Sequence, residues 1–213
     1  MATAEAPSRR ERPGKAAILR AAVEVMGEDG YEGASMRDMA ARAGVSVAAL
    51  YHHFPSKLDL LREFLDEAYD VILARVDRRL LDAGPAAADR LDEIVATLIA
   101  SLLHDEFARL AANVAWREHT RLDPPERRAV AAKRRRLLDL VEGVVVDGVA
   151  AGEFSADEPR EAARAIVMLA TTLVEPFGEM NRPMPEVIVL YQRFARAIAC
   201  TPPAGGGRAQ ATG

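Results

Sequence analysis

The sequence predicts an all-α fold, and three observations carry that expectation. Beyond residue 14 nearly every segment repeats apolar residues at steps of three and four, and none alternates with the period of a strand. Glycine, proline and Ser-x-x-Asp punctuation cuts this pattern into helix-sized pieces. Apolar residues make up 50% of the 213, enough to bury a core, while 28% charged residues keep the surface solvated.

Taken in order, residues 1–13 are rich in Ala, Pro and Arg and are expected to form a disordered basic arm. A first helix is predicted from Gly14 to about Glu28, with Ile18, Leu19, Ala22, Val25 and Met26 on one face. Asp29-Gly30 stops it, Gly30 being the residue that tolerates a left-handed cap. Ser35 reads as an N-cap with Asp38 at the capping-box position, opening a short helix that ends at Gly44. Ser46 caps a second short helix through Tyr51 or His52. Pro55 ends that one, and Ser56 with Asp59 caps the next. There Leu58, Leu61, Leu65, Ala68 and Ile72 continue one stripe past Val76 toward Leu81, until Gly84-Pro85 breaks it. At about 1.5 Å per residue this helix is roughly 35–40 Å long, enough to tie a small head to a body.

The body reads as five further helices. They cover Ala87 to Leu103, Glu106 to Arg121, Pro124 to about Ala151, a stretch from Ser155 or Asp157 to Glu175-Pro176, and Pro185 to Cys200. Residues 201–213, rich in Gly, Pro and Ala, are expected to form a disordered tail. The domain reading is a head over 14–60 and a body over 61–200.

Composition closes off several function classes. Cys200 stands alone, so neither an internal disulfide framework nor a CxxC metal site is available. No stretch approaches the roughly 18–20 apolar residues of a membrane helix, and no secretory run opens the chain, so a cytoplasmic protein without a membrane partner is expected. The net charge of −4 and a pI near 5.7 argue mildly against nucleic acid, unless a small basic head is offset by an acidic body. Arg9, Arg10, Arg12 and Lys15 against Glu11 supply such a local exception, and the three arginines could reach an adjacent minor groove. No Ser-His-Asp signature, paired carboxylates or Gly-rich phosphate cradle points to an enzyme, and no cofactor is expected. The His52-His53 pair lacks a Cys or carboxylate at ligand spacing, so no metal is expected either.

Two short helices joined by a Gly-containing turn, flanked by longer ones, make a helix-turn-helix whose second helix can enter a major groove. The residues go further. Tyr31-Glu32-Gly33-Ala34-Ser35-Met36-Arg37-Asp38-Met39-Ala40, then Ala43-Gly44-Val45-Ser46, then Leu50-Tyr51-His52-His53-Phe54-Pro55-Ser56-Lys57 together strongly resemble the TetR/AcrR family of transcriptional regulators over residues 14 to about 65. The resemblance implies a homodimer on double-stranded operator DNA, released by a small-molecule effector. It places Ser35 and Arg37 at a phosphate, where a hydroxyl, free backbone N–H groups and a guanidinium converge. It assigns Tyr51, His52 and Lys57 to backbone contacts, and Ser46, Val47, Ala48 and Ala49 to base reading. These four are small and mostly apolar, which favours thymine-methyl contacts and shape readout over bidentate base pairing. Met39, Ala40, Leu50 and Phe54 are expected in the core, and His53 is expected to pack against the head.

In the body the resemblance implies a four-helix dimer interface built from the last two helices. Ala162, Ile166, Leu169, Ala170 and Leu173 are candidates on one, and Val187, Leu190, Phe194, Ala195, Ala197 and Ile198 on the other. Effectors of the family sit among the central helices. Candidate ligand residues there are His104, Phe107, Trp116, His119, Met168, Thr171, Thr172, Phe177 and Met180. Trp116-Arg117-Glu118-His119, the stretch Arg121 to Arg128 and the run Lys133-Arg134-Arg135-Arg136 look similar to bodies that sense acyl-CoA thioesters, which need cations for the phosphates. Four consecutive cations fan around a helix, however, and cannot all serve one site.

Overall fold

The computed structural model describes residues 14–103, 114–115, 117–171 and 182–200, with Leu103 and His119 described by their backbone alone. The expected arm and tail lie outside them. Among the described residues there are eight α-helices, one 3₁₀ turn and no strand. In chain order these are α1 (Lys15–Gly33), α2 (Met36–Ala43), α3 (Val47–His53), α4 (Lys57–Asp82), α5 (Ala87–Leu103), the 3₁₀ turn His119–Arg121, α6 (Pro124–Ala150), α7 (Pro159–Thr171) and α8 (Met184–Ala199). Val114, Ala115, Arg117 and Glu118 are helical as well; of the helix expected over Glu106 to Arg121, the last three residues form the 3₁₀ turn instead, and residues 106–113 and 116 lie outside the described residues. The chain divides into two compact units, Met1–Phe64 and Leu65–Gly213, a few residues beyond the expected boundary.

Local side-chain chemistry sets the first unit. Asp38 N–H donates to Ser35 Oγ at 3.1 Å, and Ala49 N–H donates to Ser46 Oγ at 3.1 Å. Asp59 N–H donates to Ser56 Oγ at 3.1 Å, so three successive helices open on a serine that satisfies an otherwise orphan donor. Gly44 closes α2 at φ 68° and ψ 29°, the left-handed conformation that costs a Cβ-bearing residue energy. Gly30 also has positive φ (73°), but its ψ of 168° is extended, so α1 breaks there and a further helical turn runs on to Gly33. Ile18, Leu19, Ala22, Val25 and Met26 of α1 are buried, as are Met39, Ala40, Leu50, Phe54, Leu60, Leu61 and Phe64. Arg42 straps α2 to α1 through a two-pronged pair with Glu28 (2.9 and 2.7 Å), the geometry in which a guanidinium binds carboxylate best.

In the second unit α5 packs against α6, α7 and α8, α6 against α7, and α7 against α8. Leu73 and Val76 of α4 join this core with Leu91, Ile94, Val95, Leu98 and Ile99 of α5 and Leu137, Val141, Val144 and Val145 of α6. Each such large side chain contributes about 1.5–3 kcal/mol on burial. α7 starts at Pro159 and not at Ser155 or Asp157 because residues 153–156 are bound elsewhere. Ser155 N–H donates to the Ala199 carbonyl (3.1 Å) and its hydroxyl to that of Cys200 (2.9 Å), while Phe154 and Ala156 are buried. Glu153 next to this strap receives the backbone N–H groups of Ala87 (3.1 Å) and Ala88 (2.9 Å), capping α5 from 65 residues away.

Those two backbone donors hold the Glu153 carboxyl below its ordinary value of 4.5. The folded state therefore binds the Glu153 proton more weakly than the unfolded chain does. The stabilisation is complete above the unfolded value and fades as pH falls through the lower folded one. Thermal melts of Glu153→Gln are expected to show a weaker dependence on pH between roughly 5 and 3 than the parent. Parallel curves for the two proteins would remove Glu153 from the acid-sensitive groups.

Candidate nucleic-acid interface

The functional features of the first unit converge on one open groove. Glu32, Gly33, Ala34, Ser35, Met36, Arg37, Val47, Tyr51 and Lys57 line it, so the turn before α2, the start of α2, the outer face of α3 and the start of α4 meet there. Five of the nine expected DNA-contacting residues are brought together: Ser35, Arg37, Val47, Tyr51 and Lys57. Ala48 and His52 are exposed on α3 without lining the groove, and Ser46 and Ala49 form its capped first turn. Leu50 anchors α3 and is fully buried, while Val47 and Tyr51 of the same helix are exposed. Glu32, Gly33, Ala34 and Met36 were not expected in the lining, and their adjacency to the Ser35 cap was the signal for them.

Lys57 is placed differently from a residue that simply offers its charge to solvent. Its Nζ donates to the backbone carbonyl of Ala34 at 2.9 Å and to that of Tyr31, and lies 4.3 Å from the centre of the Tyr31 ring. It therefore braces the turn between α1 and α2 from the first residue of α4. An ammonium carries three donors, so this bracing leaves one for a further acceptor. Tyr51, by contrast, is exposed, and so is Arg37 in the first turn of α2. Arg37, Lys57 and the Tyr51 phenol line one concavity together with the Glu32 carboxylate, and the two cations and the phenol suit contacts to a polyanion. His53, expected to pack against the head, is instead exposed, 5.8 Å from the His52 ring and 6.5 Å from that of Phe54. No cluster of three or more potential metal ligands occurs among the described residues. Arg9, Arg10 and Arg12 lie outside those residues, and Lys15 pairs with Glu63 at 2.6 Å.

The candidate effector residues divide similarly. His104, Phe107, Trp116, Thr172, Phe177, Met180 and the His119 side chain lie outside the described residues. Met168 is exposed on α7, and the Thr171 hydroxyl donates to the Val167 carbonyl at 2.7 Å. The basic run of α6 is partly engaged. Lys133 Nζ lies 2.5 Å from Asp66 and 2.8 Å from Asp70, and Arg136 lies 2.7 Å from Asp77, so α4 and α6 are zipped by opposite charges. The expected dimer stripes are split as well. Ile166, Ala170, Val187 and Ala195 are buried within the unit, Ala162, Leu169, Leu190 and Ile198 are half-buried, and Ala197 and Phe194 (45%) are exposed, as are Met168 (48%) and Val189 (54%), which the stripes did not include. Leu173 lies outside the described residues. Among the described residues no helix is long and apolar enough to cross a membrane.

Comparison with known proteins gives concordant matches. The family described as bacterial regulatory proteins, tetR family, matches residues 18–64, and that described as tetracyclin repressor-like, C-terminal domain, matches residues 84–177. The transcriptional repressor KstR of Mycolicibacterium smegmatis is 37% identical over 98 residues, which cover 46% of this chain and 48% of that protein. The chain thus spans about half the length of the curated relatives it matches first. A bacterial regulatory protein in the tetR family from Rhodococcus RHA1 superposes with a TM-score of 0.80 at 26% identity, covering 88% of this chain and 97% of that one. AibR in complex with isovaleryl coenzyme A and operator DNA shares the fold, with a TM-score of 0.75 at 23% identity over 87% of this chain and 96% of that one.

Proposed function

Since the chain belongs to the TetR family of bacterial regulatory proteins, we propose that it is a cytoplasmic transcriptional repressor, a homodimer that holds a palindromic operator and lets go when a small hydrophobic effector enters the body. The observation that carries this reading is the groove in which Ser35, Arg37, Val47, Tyr51 and Lys57 meet, a polyanion-binding rim around an outward-facing short helix. Met168, Val189 and Phe194 are apolar side chains left exposed on α7 and α8, and a second copy supplies a cover for them and a two-fold axis to match a palindrome. No step of this reading is catalytic.

For the effector we assign an acyl-CoA thioester, supported by the shared fold of AibR, which is named in complex with isovaleryl coenzyme A. Lys133 and Arg136 are committed to carboxylates of α4, so the phosphates must find other cations than these two. Moving an operator from 99% to 1% occupancy requires the effector to favour the non-binding state by about 5.5 kcal/mol.

The test is selection and sequencing of host genomic fragments retained by the purified full-length protein, followed by elution with acyl-CoA thioesters of graded chain length. Enrichment of one palindrome, released by a thioester and not by free coenzyme A, is the expected result. Retention of no sequence over bulk DNA would overturn the repressor reading. A palindrome that no thioester releases would overturn the effector assignment alone.

A further inference from the structure

We infer that copies of this chain meet through a second contact, an antiparallel pairing of α4 with α4 along Glu67, Val71, Ala74, Arg78 and Leu81. This contact joins homodimers into tetramers; the number four, though not the pairing itself, rests on the homodimer reading above. The five residues recur at steps of four and three, the spacing of a helix–helix seam. All five are exposed, Leu81 at 86% and Val71 at 43%, while Leu73 and Val76 on the opposite side of the helix enter the core of the second unit. An aliphatic seam facing water, on a helix whose other side is already buried, is a surface that a neighbour can cover. The exposed Met168, Val189 and Phe194 assigned to the homodimer belong to α7 and α8, so the α4 seam stays open for a contact between dimers.

Charge selects both the neighbour and the direction. Beside the seam the charged groups are engaged: Asp66 and Asp70 hold Lys133, Asp77 holds Arg136, and Arg75 donates to the Ser101 hydroxyl at 3.1 Å. Glu67 and Arg78, on the seam itself, make no ion pair or side-chain hydrogen bond among the described residues. Let two copies of α4 run antiparallel about a two-fold axis passing between Ile72 and Leu73. Glu67 of each copy then stands opposite Arg78 of the other, and Val71 opposite Ala74. Both open charges are answered, and the branched side chain meets the smallest one, which lets the two helices approach closely. A parallel pairing would set Glu67 on Glu67 and Arg78 on Arg78, and like charges so placed repel. The acidic shoulder of the seam, Asp70 and Asp77, is already neutralised by Lys133 and Arg136 and so does not oppose the contact. The seam is about 21 Å long and buries less than the roughly 1,200 Å² of a standard interface, so the pairing is expected to be weak and reversible, at micromolar to hundreds of micromolar concentration.

The experiment is sedimentation velocity of the full-length protein across that concentration range. The parent is expected to pass from dimer to tetramer as its concentration rises. Arg78→Glu turns both attractive pairs of a contact into repulsive ones, and is expected to weaken the dimer–tetramer step at least about ten-fold. Glu67→Arg is expected to do the same. The double exchange of Glu67→Arg with Arg78→Glu restores both pairs with their signs reversed, and is expected to associate like the parent. Both side chains are exposed, so every variant should melt like the parent, and the melts confirm that folding is intact. An assembly state of the parent that the single reversals leave unchanged, or that the double exchange fails to restore, overturns the pairing and leaves the homodimer reading standing. Single reversals that turn a dimeric parent into monomers uphold the pairing and overturn the assignment of the homodimer to α7 and α8 instead.

Discussion

Lys57→Ala is expected to weaken operator binding and to destabilise the head together, by about 2 kcal/mol in stability, whereas Tyr51→Ala is expected to weaken binding alone. The difference follows from what each side chain touches. Lys57 Nζ bonds the Ala34 and Tyr31 carbonyls, and hydrogen bonds to a charged group are worth about 1.5–3 kcal/mol each. Partial exposure lets water replace some of that, which sets the expectation at the lower end. The turn it braces leads directly into the Ser35 cap and the first turn of α2, so loosening it also blurs the groove. Tyr51 is exposed, and its loss removes a contact without disturbing a core. Both variants should lose roughly ten-fold or more in affinity, the equivalent of about 1.4 kcal/mol, irrespective of sequence. Urea denaturation and anisotropy binding of each protein to its selected operator make the comparison. If Lys57→Ala binds weakly yet unfolds like the parent, the ammonium serves the phosphate and not the carbonyls.

Gly148→Ala is expected to destabilise the body by about 1–3 kcal/mol, against the usual gain of about 1 kcal/mol for replacing a helical glycine by alanine. A Cβ at Gly148 would stand 2.1 and 2.6 Å from ring carbons of Phe154 and 2.9 Å from the Ala87 Cβ. Phe154 is buried beside the strap that meets α8, so its ring has little room to retreat. Gly143, five residues earlier on the same helix, supplies the control. Nothing lies within 4 Å of a Cβ there, and Gly143→Ala should stabilise by about 0.5–1 kcal/mol. Thermal melts of the two variants should move in opposite directions. A gain in both would mean that the Phe154 ring yields easily.

The features legible in the sequence were those whose partners lie a few residues apart. Ser35 with Asp38, Ser46 with Ala49, Ser56 with Asp59, and Gly44 at the end of α2 are each settled within a single turn, and all are seen. The start of α5 was equally plain, because Gly84-Pro85 marks it and an uninterrupted apolar stripe follows. Contacts between residues distant along the chain were not readable. Nothing near Lys57 announces that its ammonium turns back to carbonyls 23 and 26 residues earlier. Nor does the 133–136 run reveal which of its cations meet α4, since periodicity gives a residue's face but not the charge across from it. The α8 stripe illustrates the same limit. Val187 and Phe194 share a helical face by spacing, yet one is sealed and the other stands open.

The economy of α3 has a consequence for how such a protein can change. Among its seven residues Leu50 alone is fully enclosed, and its start is fixed by the Ser46 hydroxyl. Val47, Ala48, Tyr51 and His52 carry no share of the interior. The segment is therefore an exchangeable cassette, held by one anchor and one cap, whose outer letters can drift or be rewritten without cost to folding. On the proposed DNA-binding reading, single substitutions at these outer positions change what the segment recognises while the architecture stays the same.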